Sequence, residues 1–148
     1  MTLTLVAILF LLAMTTTSAL YKKNQLQRVA NEIAAAIQFA KTQAVLLNKP
    51  LILVPTSREH DWSYGCMLLV DNSQHQLPPN TSPIYQWQFS KKNTDVIWHG
   101  FKQVDYLIFA PKIRLNVSNG YFIIKNNLLQ IKLVLNRLGR VRVVGTLI

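Results

Sequence analysis

The chain has 148 residues, sixteen of them basic and six acidic, for a formal net charge of +10. That length fits one small domain able to bury a real core. A single cysteine, Cys66, excludes an internal disulfide, and six dispersed carboxylates are too few to suggest an acid/base pair.

Met1 to Tyr21 carries no charged side chain, and neither Gly nor Pro interrupts the chain before Pro50. As a helix, that opening segment would span about 31 Å, the hydrocarbon thickness of a bilayer. Residues 1–21 therefore predict a transmembrane half-helix, with Leu3, Leu5, Val6, Leu9, Phe10 and Leu12 as its anchoring side chains. The helical period continues beyond it. Leu26, Val29, Ala30, Ile33, Ile37, Ala40, Ala44 and Leu47 recur every three or four residues, one apolar face of a helix over 22–48. Two other readings fit the hydropathy. A cleaved signal peptide would have basic residues before its apolar run, and here Lys22 and Lys23 follow it. A plain single-pass anchor is the other, and by the positive-inside rule Lys22, Lys23 and Arg28 favour a cytoplasmic C-terminal side.

Past Pro50 the period changes. Leu51 to Val54 is a short apolar run stopped by Pro55, and Ser57 to Ser63 is a polar loop. Tyr64 to Asp71 is expected to be a buried strand containing Cys66, which reads as a small buried hydrophobe. Asn72 to Pro83 is a long loop with three prolines. Ile84 to Phe89 alternates, Val96 to Trp98 is short and apolar, and Tyr106 to Ala110 ends at Pro111. Tyr121 to Ile124 follows a turn at Asn119-Gly120. Leu128 to Leu135 and Val141 to Ile148 close the chain, joined by Asn136-Arg137-Leu138-Gly139. Short strands between Asn, Gly and Pro, with no second helical pattern, predict antiparallel sheet. The fold class is α+β: a long N-terminal helix whose second half covers a β-rich head over 22–148.

Chemistry-bearing clusters are sparse. His60, His75 and His99 lack the spacing of a zinc site. His60, between Glu59 and Asp61, reads as a polar turn. No nucleophile elbow or phosphate-binding glycine loop is present, so an enzyme is not expected, and no cofactor or metal is implied. Asn80 and Asn116 begin acceptor tripeptides for glycosylation, at a frequency expected by chance.

The charge is one-sided. After Asp105 there is no acid, yet Lys112, Arg114, Lys125, Lys132, Arg137, Arg140 and Arg142 follow. Such asymmetry suits a polyanion: nucleic acid, anionic lipid or acidic polysaccharide. The sharpest local signal is Gly139-Arg140-Val141-Arg142-Val143. Residues two apart on a strand share a face, so Arg140 and Arg142 should project together about 6.6–6.8 Å apart, with Val141 and Val143 toward the core. Paired guanidinium forks suit phosphate oxygens, and Arg137 could add a third. The alternative is an ordinary edge strand blunted by charge.

At this point the chain resembles a known family. The helix, the segment QRVANEIAAAIQFAKTQAVLLNKP, the YGCMLLVD strand, IWHGF and the terminal GRVRVV are similar to the FimT/GspH group of minor type IV pilins and pseudopilins. The resemblance implies a pilin-like subunit, its apolar half-helix in the bacterial inner membrane and then in a filament core, with its head in the periplasm or outside. It implies other pilin or pseudopilin subunits as partners. FimT-type members carry a Gly-Arg-x-Arg element associated with binding double-stranded DNA in natural transformation, which Gly139, Arg140 and Arg142 match. Arg137 and Lys132 are the neighbouring cations expected to join them. GspH-type members, near the tip of type II secretion pseudopili, are the alternative, with a structural role for the same residues.

The resemblance also implies a basic leader ending in Gly, and Glu five residues into the mature chain. With Met1 as the mature first residue, Leu5 stands at that place, and the carboxylate that would pair with a neighbour's amine is missing. A minor or terminal subunit is expected, not the main filament subunit. Mass spectrometry of sheared, purified pili should find this chain as a trace constituent. Recovery as the bulk protein would contradict the expectation.

Overall fold

The computed structural model describes residues 2–72, 75, 81–89, 93–102, 105–112 and 118–147, apart from the side chains of 2, 3, 5, 12–17, 146 and 147. The first element, α1, is one unbroken helix over Thr2–Leu47, about 69 Å long at about 1.5 Å per residue. Its second half carries a buried stripe: Leu26, Val29, Ala30, Ile33, Ala36, Ile37, Ala40 and Ala44. The expected face is therefore present, with Ala36 added to it. Leu47 departs from it and is exposed, because the helix ends there in a Schellman turn. The Asn48 amide donates to the Val45 carbonyl at 3.2 Å and the Lys49 amide to the Ala44 carbonyl at 3.3 Å. Asn48 adopts φ 49°, the left-handed cap that Asn tolerates, and Pro50 prevents continuation.

Eight strands follow, β1 Leu51–Pro55, β2 Gly65–Val70, β3 Tyr85–Gln88, β4 Asp95–Gly100, β5 Leu107–Phe109, β6 Gly120–Lys125, β7 Gln130–Leu135 and β8 Val141–Leu147. They form two four-stranded sheets, ordered β3-β2-β1-β5 and β4-β6-β7-β8, with every pairing antiparallel. The expected strands are all present. The expected polar loop before β2 holds a short 3₁₀ turn at Trp62–Tyr64, whose cap Asp61 accepts the Ser63 amide. Ser63 is buried, and its Oγ accepts the Val96 amide at 2.9 Å, which ties this turn to β4 of the second sheet.

Both sheets turn one face to the helix. Leu51, Leu53, Leu68 and Cys66 from the first, and Phe122, Ile124, Ile131, Leu133 and Leu135 from the second, close on the α1 stripe in a single core. β1 lies inside its sheet and is buried along its whole length. Its other face, Ile52 and Val54, packs with Leu69, Met67 and Tyr106. Cys66 is the small buried hydrophobe expected, and burial pushes its thiol up to about 12, so it holds its proton at neutral pH.

The first half of α1 has no such cover. Val6, Leu9 and Phe10 of the expected anchor are exposed, while the side chains of Leu3, Leu5 and Leu12 lie outside those described. Among the described residues, no helix is long and apolar enough to cross a membrane. Most of the 72–83 loop, and Asn80 and Asn116, also lie outside the described residues.

The head should not need the first half of the helix. A chain starting at Lys22 retains the whole buried stripe and should give the α+β circular dichroism spectrum of a folded domain. An unfolded spectrum would show that the two halves do not have separate roles.

Candidate functional site

The basic end is built on the β7–β8 hairpin, and a short network of backbone contacts fixes its turn. Asn136 Oδ1 accepts the amides of Leu138 at 3.0 Å and Arg140 at 2.9 Å. The Gly139 amide donates to the Asn136 carbonyl at 2.9 Å, and the Asn136 amide to the Arg140 carbonyl at 3.0 Å. Asn at this place is favoured because its side chain mimics a backbone turn.

Gly139 is required for two reasons. Its φ is +71°, a region costly to residues with a Cβ. A Cβ there would also lie 3.2 Å from Cδ of Lys41. Lys41 comes from α1, and its Nζ donates to the Leu138 carbonyl at 3.0 Å. The lysine stem thus lies across the glycine while its ammonium holds the turn's carbonyl.

This anchoring presents the arginines. Arg137, Arg140 and Arg142 are all exposed. Arg142 pairs in register with Val134, and Leu133 and Leu135 on either side of Val134 point into the core. Arg142 therefore stands on the sheet's outer face, and Arg140, the residue that leads into β8, is exposed beside it. Val141 packs against the core. Val143, opposite Leu133, shares that inner face as expected but is 44% exposed. β8 is an edge strand, with no described strand beyond it. A bulge between the partners of Ile131 and Lys132 then shifts the register, with Gly145 at φ +59° as the extra residue.

Lys132 lies on the same outer face, diagonal to Arg142. Its Nζ stands 4.0 Å from the centre of the Tyr121 ring, a cation–π contact. His99 stacks on that ring at 5.0 Å and 26°. The outer face thus gathers Arg140, Arg142 and Lys132, with Arg137 in the turn at one end. Arg114 lies outside the described residues. Lys41 and Asn136 do not stand out in the sequence as site residues. An Asn three residues before a Gly is a turn signal that points to Asn136, whereas nothing local pairs Lys41 with a carbonyl 97 residues away.

The histidines do not form a ligand set. His60 lies 3.7 Å from Asp105, His75 lies 2.7 Å from Asp71, and His99 is on Tyr121. Among the described residues no three metal-ligating side chains come together.

The family described as type II transport protein GspH matches residues 29–139. The chain belongs to this family. The match takes in the buried stripe of the helix from Val29 and seven of the eight strands, and it ends at Gly139. Two crystal forms of the Pseudomonas aeruginosa type IV minor pilin FimU are similar in fold. One aligns with a TM-score of 0.66 at 18% identity, covering 84% of this chain and 91% of that one. The other gives 0.61 at 18% identity, covering 80% and 92%. No curated protein sequence matches. The α+β architecture is that of the GspH/FimT-type minor pilins and pseudopilins: an N-terminal helix on antiparallel sheet.

Two substitutions separate the demands on Gly139. Gly139→Ala should destabilise by about 1–2 kcal/mol, lowering Tm by several degrees. Gly139→Asn, which carries a Cβ but tolerates left-handed backbone, should cost less. Thermal melts of both proteins check this. Equal losses would show that crowding against Lys41 outweighs the backbone conformation.

Proposed function

We propose that this minor pilin binds double-stranded DNA, without sequence preference, through its C-terminal hairpin and serves DNA uptake in natural transformation. The observation that carries the reading is the exposed pair Arg140, at the entry to β8, and Arg142, on its outer face, next to a turn that Lys41 ties to the helix. Each guanidinium is a planar fork that can donate two parallel hydrogen bonds to phosphate. Arg137 and Lys132 add charge on either side. Phosphate contacts position a protein without reading bases, which gives binding independent of sequence.

In this reading the role is binding and assembly, not catalysis. The uncharged stretch Met1–Tyr21 and the continuity of α1 support a single inner-membrane pass with the head in the periplasm. From there the subunit enters a pilus, with its apolar half-helix among those of its neighbours. The second reading is a pseudopilin of a type II secretion system, as the family's description suggests. Val45, Leu46 and Leu47, exposed where α1 ends, are apolar contacts that another subunit could cover. In that case the arginines serve only the hairpin's edge.

A salt titration of the full chain in non-ionic detergent decides between them. With about three to five phosphates neutralised, log K should fall against log salt with a slope of about −3 to −4.5, and affinity near physiological salt should be about micromolar or weaker. Replacing Arg140 and Arg142 together by Gln should flatten the slope by about 2 and leave Tm almost unchanged, since exposed charges contribute little. Replacing Lys22 and Lys23 should matter much less. Equal binding by wild type and the arginine variant would favour the secretion reading.

A further inference from the structure

The arginine pair is one end of a longer feature. The strand register places His99, Tyr121, Val134 and Arg142 in one row across the second sheet, and Ile97, Ile123, Lys132 and Val144 in the next. A third row begins with Asp95, Lys125 and Gln130. All of these side chains lie on the face away from the helix, since the alternate residues Trp98, Phe122, Ile124, Leu133 and Leu135 are in the core. Read diagonally, the cations step Arg140, Arg142, Lys132, Lys125, moving one strand inward at each step after the first. From strand rise and spacing, successive Cα atoms are separated by about 7–8 Å. That is the scale on which phosphates succeed one another along a single nucleic-acid strand.

The ground between these cations is not polar. Ile97 is 38% and Val144 45% exposed. Tyr121 is flanked by His99 on one side and the Lys132 ammonium on the other. β4 is an edge strand with no described strand beyond His99, and His99 is exposed while Tyr121 is half-buried. A duplex hides its base faces and meets a protein mainly through phosphate, so it would leave these apolar and aromatic groups unused. An unpaired strand offers both phosphates for the cations and bases for the rings and aliphatic side chains.

Building on the DNA-binding reading, we propose that this outer face is a track for unpaired DNA. The backbone follows the diagonal from Arg140 to Lys125, and bases lie toward His99 and Tyr121. Charge selects this occupant over a neighbouring protein subunit. The diagonal is entirely cationic, and the acid described on the face, Asp95, sits at its far end beside Lys125.

The test uses the full chain in non-ionic detergent with a labelled thymidine oligonucleotide of about 16 residues and a duplex of the same length. The single strand should bind about tenfold more tightly. Replacing Lys125 and Lys132 together by Gln should reduce the single-strand salt slope by about 1.4. His99→Ala should weaken the single strand about fivefold and leave the duplex unchanged, and Asp95→Asn should strengthen both. Equal affinity for strand and duplex, with Lys125, Lys132 and His99 indifferent but Arg140 and Arg142 still required, overturns the track and leaves the hairpin reading intact. Absence of binding to either DNA overturns both. Normal DNA binding by the sheet-face variants, with loss of association with other pilin subunits, would make this a protein contact and also overturn the track.

Discussion

The fold rests on burial of one helical stripe. From Leu26 to Ala44, α1 presents alternating large and small side chains, and four of the eight buried ones are alanine. Alanines let the strands approach closely, while Leu26, Ile33 and Ile37 reach between them. Apart from the small Ile52, Val54 and Leu69 cluster on the first sheet's far face, both sheets bury their apolar side chains against this helix. Phe122 and Leu133 of one sheet and Leu53 and Leu68 of the other share a single cluster with it. Each large side chain buried there contributes about 1.5–3 kcal/mol of transfer energy, against a net stability of about 5–15 kcal/mol for a typical domain. Loss of two or three of them would approach the whole margin.

That dependence explains how the basic hairpin is packed although it lies late in the sequence. β7 sends Ile131, Leu133 and Leu135 into the helix-covered core, and Lys41 holds the turn that follows it. β8 contributes less to the core, with Val141 half-buried and Val143 and Val144 exposed. An edge strand of this kind invites pairing with other chains unless something blunts it. Arg140, Arg142 and the bulge at Gly145 do so, and the same arginines are those proposed to meet phosphate. Edge protection and anion binding therefore make compatible demands on this strand, which is why spacing alone does not separate them.

The two periods of the sequence carry most of this architecture. Spacing of three and four from Leu26 marks the helix face, and spacing of two marks the shared face of Arg140 and Arg142. What escapes is set by contacts distant in sequence. Leu47 fits the helical period, but the Asn48 cap ends the helix before that residue can pack. Val143 fits the strand period and faces inward opposite Leu133, but no described strand lies beyond β8 and it stays exposed. The division into two sheets is not legible either: β5 returns to pair with β1 after β4 has joined the other sheet, and each strand has enough apolar residues for several partners. Lys41 looks like an ordinary polar position on the helix, and only the folded chain brings it to Gly139.

The hairpin's two ends also fix where the charge lies relative to the apolar half-helix. Asn126, just after β6 in the turn that leads to β7, reaches the Lys22 carbonyl with a long contact of 3.5 Å. Leu138, just after β7, receives Lys41. The strand is thereby tied to the helix at two points that, along a helix axis, stand about 28 Å apart. The turn holding Arg137 and Arg140 is at the far point, and Lys125 is near the point where the helix leaves the head. A polymer following the cations from Arg140 to Lys125 would thus travel roughly along the helix axis. If the apolar half-helix lies in a bilayer or a filament core, the same two contacts hold the arginines well clear of it, where screening by salt and access to phosphate are those of open solution. The packing of β7 against the helix therefore also sets the distance of the basic turn from the apolar half-helix.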